Sequence, residues 1–212
     1  MLEGEVVGYR WETTEAVVRQ GVVGIVRTTS RETAVAQARA AIDGGLRTVE
    51  VPLTNRSALG AIEDLVAEHP DAVIGAGTVL DEAAAVLAIR AGARFLVAPN
   101  LNPSVIRAAN RYGVTALPGV GSVSEIMQAL EAGADLVKLF PATTYAPQWI
   151  SDVRSALPQA AVVPTGGVRP EDVSAWLAQG AVACALGSSL FKGTSEDIRT
   201  RVSELLKELD RG

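Results

Sequence analysis

Val22-Val23-Gly24-Ile25-Val26, then Arg31 to Asp43 closed by Gly44-Gly45, then Leu46-Arg47-Thr48-Val49-Glu50-Val51, reads as strand, helix, strand. The outer stretches are short and rich in β-branched residues, as strands are. The middle stretch has helical length and ends on a glycine stop. Two strands joined through a helix lie parallel and adjacent.

The unit recurs. Ser57 to Glu68 reads as a helix with Ser57 as N-cap, Ala72 to Gly75 as the third strand, and Asp81 to Ala91 as its helix. Phe95 to Ala98 is the fourth strand and Pro103 to Tyr112 a helix. Val114 to Leu117 is the fifth, and Ser122 with Glu125 forms a capping box on the next helix. Leu136 to Leu139, Ala161 to Val163 and Val182 to Leu186 complete the strands. Helices from Pro147 to Ala156, from Pro170 to near Gly180 and from Ser195 to Leu209 follow them. Strand starts recur every roughly 20–26 residues, the span of one βα unit. Eight units predict an α/β fold of the closed (β/α)8 TIM-barrel type, with active groups at the carboxyl ends of the strands. A short amphipathic helix from Trp11 to Gln20 precedes the repeat, so residues 1–20 read as a helical extension. No linker rich in Pro, Gly or Ser interrupts the chain, so 1–212 reads as one domain. A doubly wound open sheet is the alternative, but no G-x-G-x-x-G follows the first strand and no Walker motif occurs.

The chain has 212 residues, of which 48% are hydrophobic and 20% charged, enough for a large core. A net charge of −5 offers no basic footprint for nucleic acid. Cys184 is the only cysteine, which fits a reduced, cytoplasmic setting. The opening Met1-Leu2-Glu3-Gly4-Glu5 is acidic, unlike a signal peptide, and no apolar run is long enough to span a membrane. With His69 the only histidine, zinc clusters and His-based triads lack their residues. An oxygen-only magnesium site remains open.

Lys138 interrupts the apolar run Leu136 to Phe140. A buried ammonium must be paired or face a cavity at a strand end. Burial pulls a lysine pKa down toward roughly 7–8, and the neutral amine attacks a carbonyl to form a Schiff base. The alternative is a lysine that snorkels or pairs with a carboxylate. Glu50 sits in a similar apolar run, either as a general acid–base or as a partner of Arg27 or Lys138. Gly75-Ala76-Gly77-Thr78 follows the third strand; either its glycines admit a ligand to the backbone and Thr78 offers a hydroxyl, or it is simply a tight βα turn, the reading favoured when it is taken alone. Pro99 either walls an apolar face or ends the fourth strand. Thr165-Gly166-Gly167-Val168-Arg169-Pro170 and Gly187-Ser188-Ser189 follow the last two strands, the usual phosphate site of a barrel. Asp135 falls on the face opposite Lys138, outside the mouth. One lysine, one carboxylate and a phosphate cradle suit a Schiff-base lyase.

In order along the chain, Val49-Glu50-Val51, Gly75-Ala76-Gly77-Thr78-Val79-Leu80, Lys138-Leu139-Phe140-Pro141, Pro164-Thr165-Gly166-Gly167-Val168 and Gly187-Ser188 resemble the bacterial 2-keto-3-deoxy-6-phosphogluconate aldolase family, which also acts on 4-hydroxy-2-oxoglutarate. The resemblance covers about Gly21 to Phe191. It implies a class I aldolase on a (β/α)8 barrel, usually a homotrimer, without metal or cofactor. Its substrates would be a phosphorylated keto acid and pyruvate. By the resemblance, Lys138 is the Schiff-base lysine and Glu50 the general acid–base. Thr78 helps hold the pyruvate carboxylate, and Pro99 walls that pocket. Gly166, Gly167 and Ser188 hold phosphate, with Gly187 in the same loop, and Thr165 contacts sugar hydroxyls. Many members carry a carboxylate-binding arginine four residues after the glutamate; here Thr54 stands there, leaving Arg56 or Arg27 to substitute. The loop from Phe140 to Gln148 looks like that of the phosphogalactonate aldolases, whereas Thr165 favours the phosphogluconate epimer. A metal-dependent pyruvate aldolase, a phosphate-binding isomerase or synthase, and a sugar-phosphate binder without turnover are the rival readings.

Overall fold

A computed structural model describes residues 9–210. The acidic Met1 to Glu5 and most of the expected extension before Trp11 lie outside the described residues.

The chain alternates as the repeat requires. The helices are α1 (Arg10–Gln20), α2 (Arg31–Asp43), α3 (Ala58–Glu68), α4 (Glu82–Arg90), α5 (Pro103–Tyr112), α6 (Val123–Glu131), α7 (Gln148–Ala156), α8 (Val173–Ala178) and α9 (Ser195–Leu209). The strands are β1 (Val22–Ile25), β2 (Thr48–Pro52), β3 (Val73–Gly77), β4 (Phe95–Val97), β5 (Thr115–Leu117), β6 (Gly119–Val120), β7 (Val137–Leu139), β8 (Val162–Pro164) and β9 (Cys184–Leu186). All pairings are parallel, in one sheet ordered β5-β4-β3-β2-β1-β9 and another ordered β6-β7-β8. The sheets meet along two seams. At one, Leu136 N–H donates to Ala116 and Lys138 N–H to Pro118, at 3.3 and 2.9 Å. At the other, Val182 N–H donates to Val162 at 3.0 Å and Thr165 bridges Ala185.

Several local expectations need correction. The fifth strand does not stop at Leu117. It resumes as β6 after Pro118, whose missing N–H breaks the ladder. The third strand runs through Gly75, Ala76 and Gly77, which are ladder residues paired with Glu50, Val51 and Pro52 rather than a turn. The helix after Pro170 begins as a 3-10 turn, Pro170–Asp172, and its α-helical part is α8 alone. Ser57 makes no side-chain cap; instead Asn55 Oδ1 accepts from Ser57 N–H at 2.8 Å. The Ser122–Glu125 box forms with a shift, because Glu125 also accepts from Gly121 N–H at 2.9 Å.

Strand alternation divides the core in two. Val49, Val51, Ile74, Ala76, Leu96, Val137, Leu139 and Val162 pack with the helices. Val23, Ile25, Val73, Phe95, Val97, Leu117, Leu136, Val163 and Ala185 pack together on the inner face. Val17 of α1 belongs to that inner set, so α1 lies across the amino ends of the strands. Polar bonds hold it there. Thr115 Oγ1 donates to the Arg10 carbonyl at 2.8 Å, and Gln20 Oε1 accepts from Thr48 N–H at 3.0 Å. Arg10 pairs with Asp135 at 3.2 Å, and Asp135 accepts from Ala116 N–H. Asp135 thus sits at the amino end, away from the carboxyl ends where Lys138 points.

Candidate active site

The inner face that is apolar at the amino end turns polar toward the carboxyl ends. Glu50, Lys138 and Thr165 are its buried polar residues there, at 2%, 6% and 2% exposure. Each sits on the inward parity of its strand: Val49, Val51, Val137 and Leu139 beside Glu50 and Lys138 pack outward, while Leu136 and Val163, two residues before Lys138 and Thr165, pack inward.

Lys138 opens into a cavity of about 390 Å³ lined also by Ile25, Arg27, Phe140, the loop Thr165 to Arg169, the loop Gly187 to Ser189, and Lys192. Its Nζ stands 4.9 Å from the centroid of the Phe140 ring. Burial pushes the amine below the ordinary lysine range; Glu50 offsets part of that shift, and the Arg27 charge adds to it. Burial pushes the Glu50 carboxyl above its ordinary range, opposed by Lys138 and Arg27. No salt bridge forms between Glu50 and either cation, and Glu50 Oε2 is buried without a hydrogen-bond partner among the described residues. Of the two readings of Glu50, the charge-balancing ion pair is therefore the one the geometry disfavours.

Gly75 and Gly77 face inward with Glu50. A Cβ on Gly75 would meet the Phe95 ring at 2.4 Å, and one on Gly77 would meet Glu50 at 1.7 Å. Their small size makes room for two side chains, which corrects the expectation that they admit a ligand. Thr78, next in the chain, has φ 54°, an uncommon conformation for a β-branched residue and of the kind that gathers at functional sites.

Gly166 and Gly167 take φ values of 88° and 80°, which only glycine adopts freely. The N–H groups of Gly167 and Ser188 find no acceptor among the described residues, whereas Gly166 N–H faces the Ala185 carbonyl across the Thr165–Ala185 bridge. Free amides at the rim of a cavity are what an anion requires. Thr165 Oγ1 donates to the Val163 carbonyl at 3.2 Å.

Of the residues singled out from sequence, Arg27, Lys138, Phe140, Thr165, Gly166, Gly167, Gly187 and Ser188 line this one cavity. Glu50 is not on its lining, but its charge acts on Lys138, which is. Thr54, Thr78 and Pro99 are not on its lining. Thr54 is exposed, and the Pro99 carbonyl packs where Gly119 leaves space. Val168, Arg169 and Ser189 line it as members of the two quoted glycine motifs without a role of their own, and Ile25 and Lys192 line it without having been singled out. Membership of those motifs was the signal for Arg169 and Ser189; Lys192 looks like any surface lysine. Among the described residues, no three His, Cys, Asp or Glu side chains gather as a metal site, and no helix is long and apolar enough to cross a membrane.

A model of the KDPG and KHG aldolase family matches residues 14–204. The chain is 36% identical over 193 residues to the 2-dehydro-3-deoxy-6-phosphogalactonate aldolase of Escherichia coli strain K12, spanning 90% of this chain and 92% of the relative. It is 39% identical over 185 residues to the 2-dehydro-3-deoxy-phosphogluconate aldolase of Treponema pallidum strain Nichols, spanning 85% and 87%. The crystal structure of a KDPG aldolase from Legionella pneumophila, with pyruvate captured as a covalent carbinolamine intermediate, is similar at a TM-score of 0.84 and 27% identity, over 91% of this chain and 97% of that one. The agreement runs through nearly every strand and helix, and the chain belongs to the KDPG and KHG aldolase family.

Proposed function

We propose that the protein is a class I aldolase that cleaves 2-keto-3-deoxy-6-phosphogluconate to pyruvate and glyceraldehyde 3-phosphate, with Lys138 as the imine-forming residue. The same site would take 4-hydroxy-2-oxoglutarate, giving pyruvate and glyoxylate. The phosphogalactonate epimer has equal support, since relatives named for each epimer cover the chain at similar identity. The observation that carries the reading is a lysine 6% exposed, held below its ordinary pKa, at the floor of an open cavity.

In the proposed reaction, the Lys138 amine adds to the C2 ketone, and Glu50 supplies the proton with which the carbinolamine loses water. The resulting iminium accepts the electron pair of the C3–C4 bond. Glu50, now a carboxylate, takes the C4 hydroxyl proton directly or through water, and the aldehyde leaves. Glu50 gives that proton to C3 of the lysine-bound enamine, and water hydrolyses the resulting imine to release pyruvate and the amine. Thr78 and Arg27 are proposed to steady the pyruvate carboxylate in place of an arginine at Thr54. Pro99 walls that end, and Thr165 addresses the sugar hydroxyls. The amides of Gly166, Gly167 and Ser188, in loops that include Gly187, would hold the phosphate. No metal or cofactor is needed, so activity should survive a chelator.

The two seams between the sheets support a closed (β/α)8 barrel with α1 as an added N-terminal helix, acting as one domain. A homotrimer of such domains is proposed from the family resemblance; sedimentation tests it. Borohydride with pyruvate tests the chemistry. The adduct should map to Lys138, and no adduct there ends the proposal. A coupled assay of pyruvate release from both epimers, side by side, decides the substrate.

A further inference from the structure

We propose that Lys192 is the cation that makes this cavity select a phosphorylated substrate; this deepens the aldolase reading above and rests on it. The cavity concentrates positive charge on an acidic protein. Arg27, Lys138, Arg169 and Lys192 line it and no Asp or Glu does, whereas the whole chain carries −5. These cations are not equivalent. Lys138 is buried at the floor, and the field of Arg27 acts on the Lys138–Glu50 pair. Arg169 is already compensated, by Asp172 at 2.8 Å and Glu171 at 3.2 Å. Lys192 forms no salt bridge among the described residues, so its charge is available to a ligand.

Its backbone is also fixed in place. Arg201 donates to the carbonyls of Leu190 and Lys192 at 2.7 and 3.0 Å, and Phe191 between them is buried. The Lys192 stem therefore starts from a set point at the rim of the cavity, on the same side as Gly187, Ser188 and Ser189. The free N–H groups there match the oxygens of any anion. The ammonium adds what amides lack, a full charge that distinguishes a phosphate dianion from a hydroxyl end.

Two variants, Lys192→Gln and Lys192→Arg, test this with two readouts. Titration with sn-glycerol 3-phosphate should give a Kd about tenfold weaker in Lys192→Gln, restored in Lys192→Arg, with a smaller salt dependence in the Gln variant. In turnover, Lys192→Gln should raise KM for the phosphorylated keto acid with kcat retained. Its preference over the same acid without phosphate should shrink about tenfold. An unchanged Kd, or equal losses on both substrates, overturns the role of Lys192. Absence of a pyruvate adduct on Lys138 in the unaltered protein instead sinks the aldolase reading, while the glycerol 3-phosphate titration still judges Lys192.

Discussion

Gly77 and Glu50 share one volume: a Cβ on the glycine would stand 1.7 Å from Oε1 of the carboxylate and 2.5 Å from its Cδ. Glu50 is buried, with no solvent to retreat into. Gly77→Ala must therefore move the carboxylate. A displacement of about an ångström at a proton-transfer group costs roughly 10²-fold in rate. Deuterium exchange at the pyruvate methyl should fall by that order while the cooperative melt is kept.

Gly75→Ala should fail differently. Its Cβ would meet the Phe95 ring at 2.4 Å, and Phe95 is fully buried. Overpacking of this kind costs roughly 1–3 kcal/mol or more, about 2–4 °C in Tm per kcal/mol for a chain of this size. Calorimetry should show Gly75→Ala the less stable of the two glycine variants. Equal melts would mean that the inner face yields at both places.

Glu50→Gln keeps the shape and removes the ionisable proton. Exchange at the pyruvate methyl should drop about 10²–10⁴-fold. Because Glu50 pulls the Lys138 pKa upward, its loss should also move the amine further below the ordinary lysine range. The pH midpoint of borohydride trapping should shift down; a midpoint that stays put would separate the two groups.

Lys138→Met addresses the buried amine itself. A lysine whose folded pKa lies below 10.5 loses its proton more readily folded than unfolded. The folded state is penalised at low pH, and the penalty fades as pH rises from the shifted value toward 10.5. The Met variant lacks this penalty. Its Tm advantage over the unaltered protein should be largest at low pH and shrink on the alkaline side, and trapping should vanish throughout. An advantage that grows with pH would reverse the sign of the shift.

Thr78→Gly relieves a φ of 54° while removing a hydroxyl. Strain relief near 1 kcal/mol is offset by glycine's greater freedom in the unfolded chain, so Tm should stay within a few degrees. If the hydroxyl holds the pyruvate carboxylate, KM should rise roughly tenfold or more. An unchanged KM removes Thr78 from binding.

The repeat was legible because each strand is short, apolar and followed by a helix with a stop. Lys138 and Glu50 were legible for the same reason, since a charge in an apolar run breaks the pattern that burial imposes. Gly75 and Gly77 were misread because a glycine marks closeness without saying to what. Their neighbours, Phe95 and Glu50, belong to other strands, and register alone brings them together. The split at Pro118 depends on one missing N–H, which shortens a ladder without altering the apolar pattern. Lys192 was invisible because its meaning lies in the carboxylate it lacks. Arg169, also on the rim, owes its lesser role to Asp172, three residues on.

The helix lying across the strands' amino ends shuts one side of the molecule, and traffic must use the other. Under the proposed chemistry, the fragment carrying phosphate lies outermost and the tethered three-carbon piece lies innermost. Departure is then queued: the aldehyde must clear the doorway before hydrolytic water reaches the imine. In the synthetic direction, the keto acid must be loaded first.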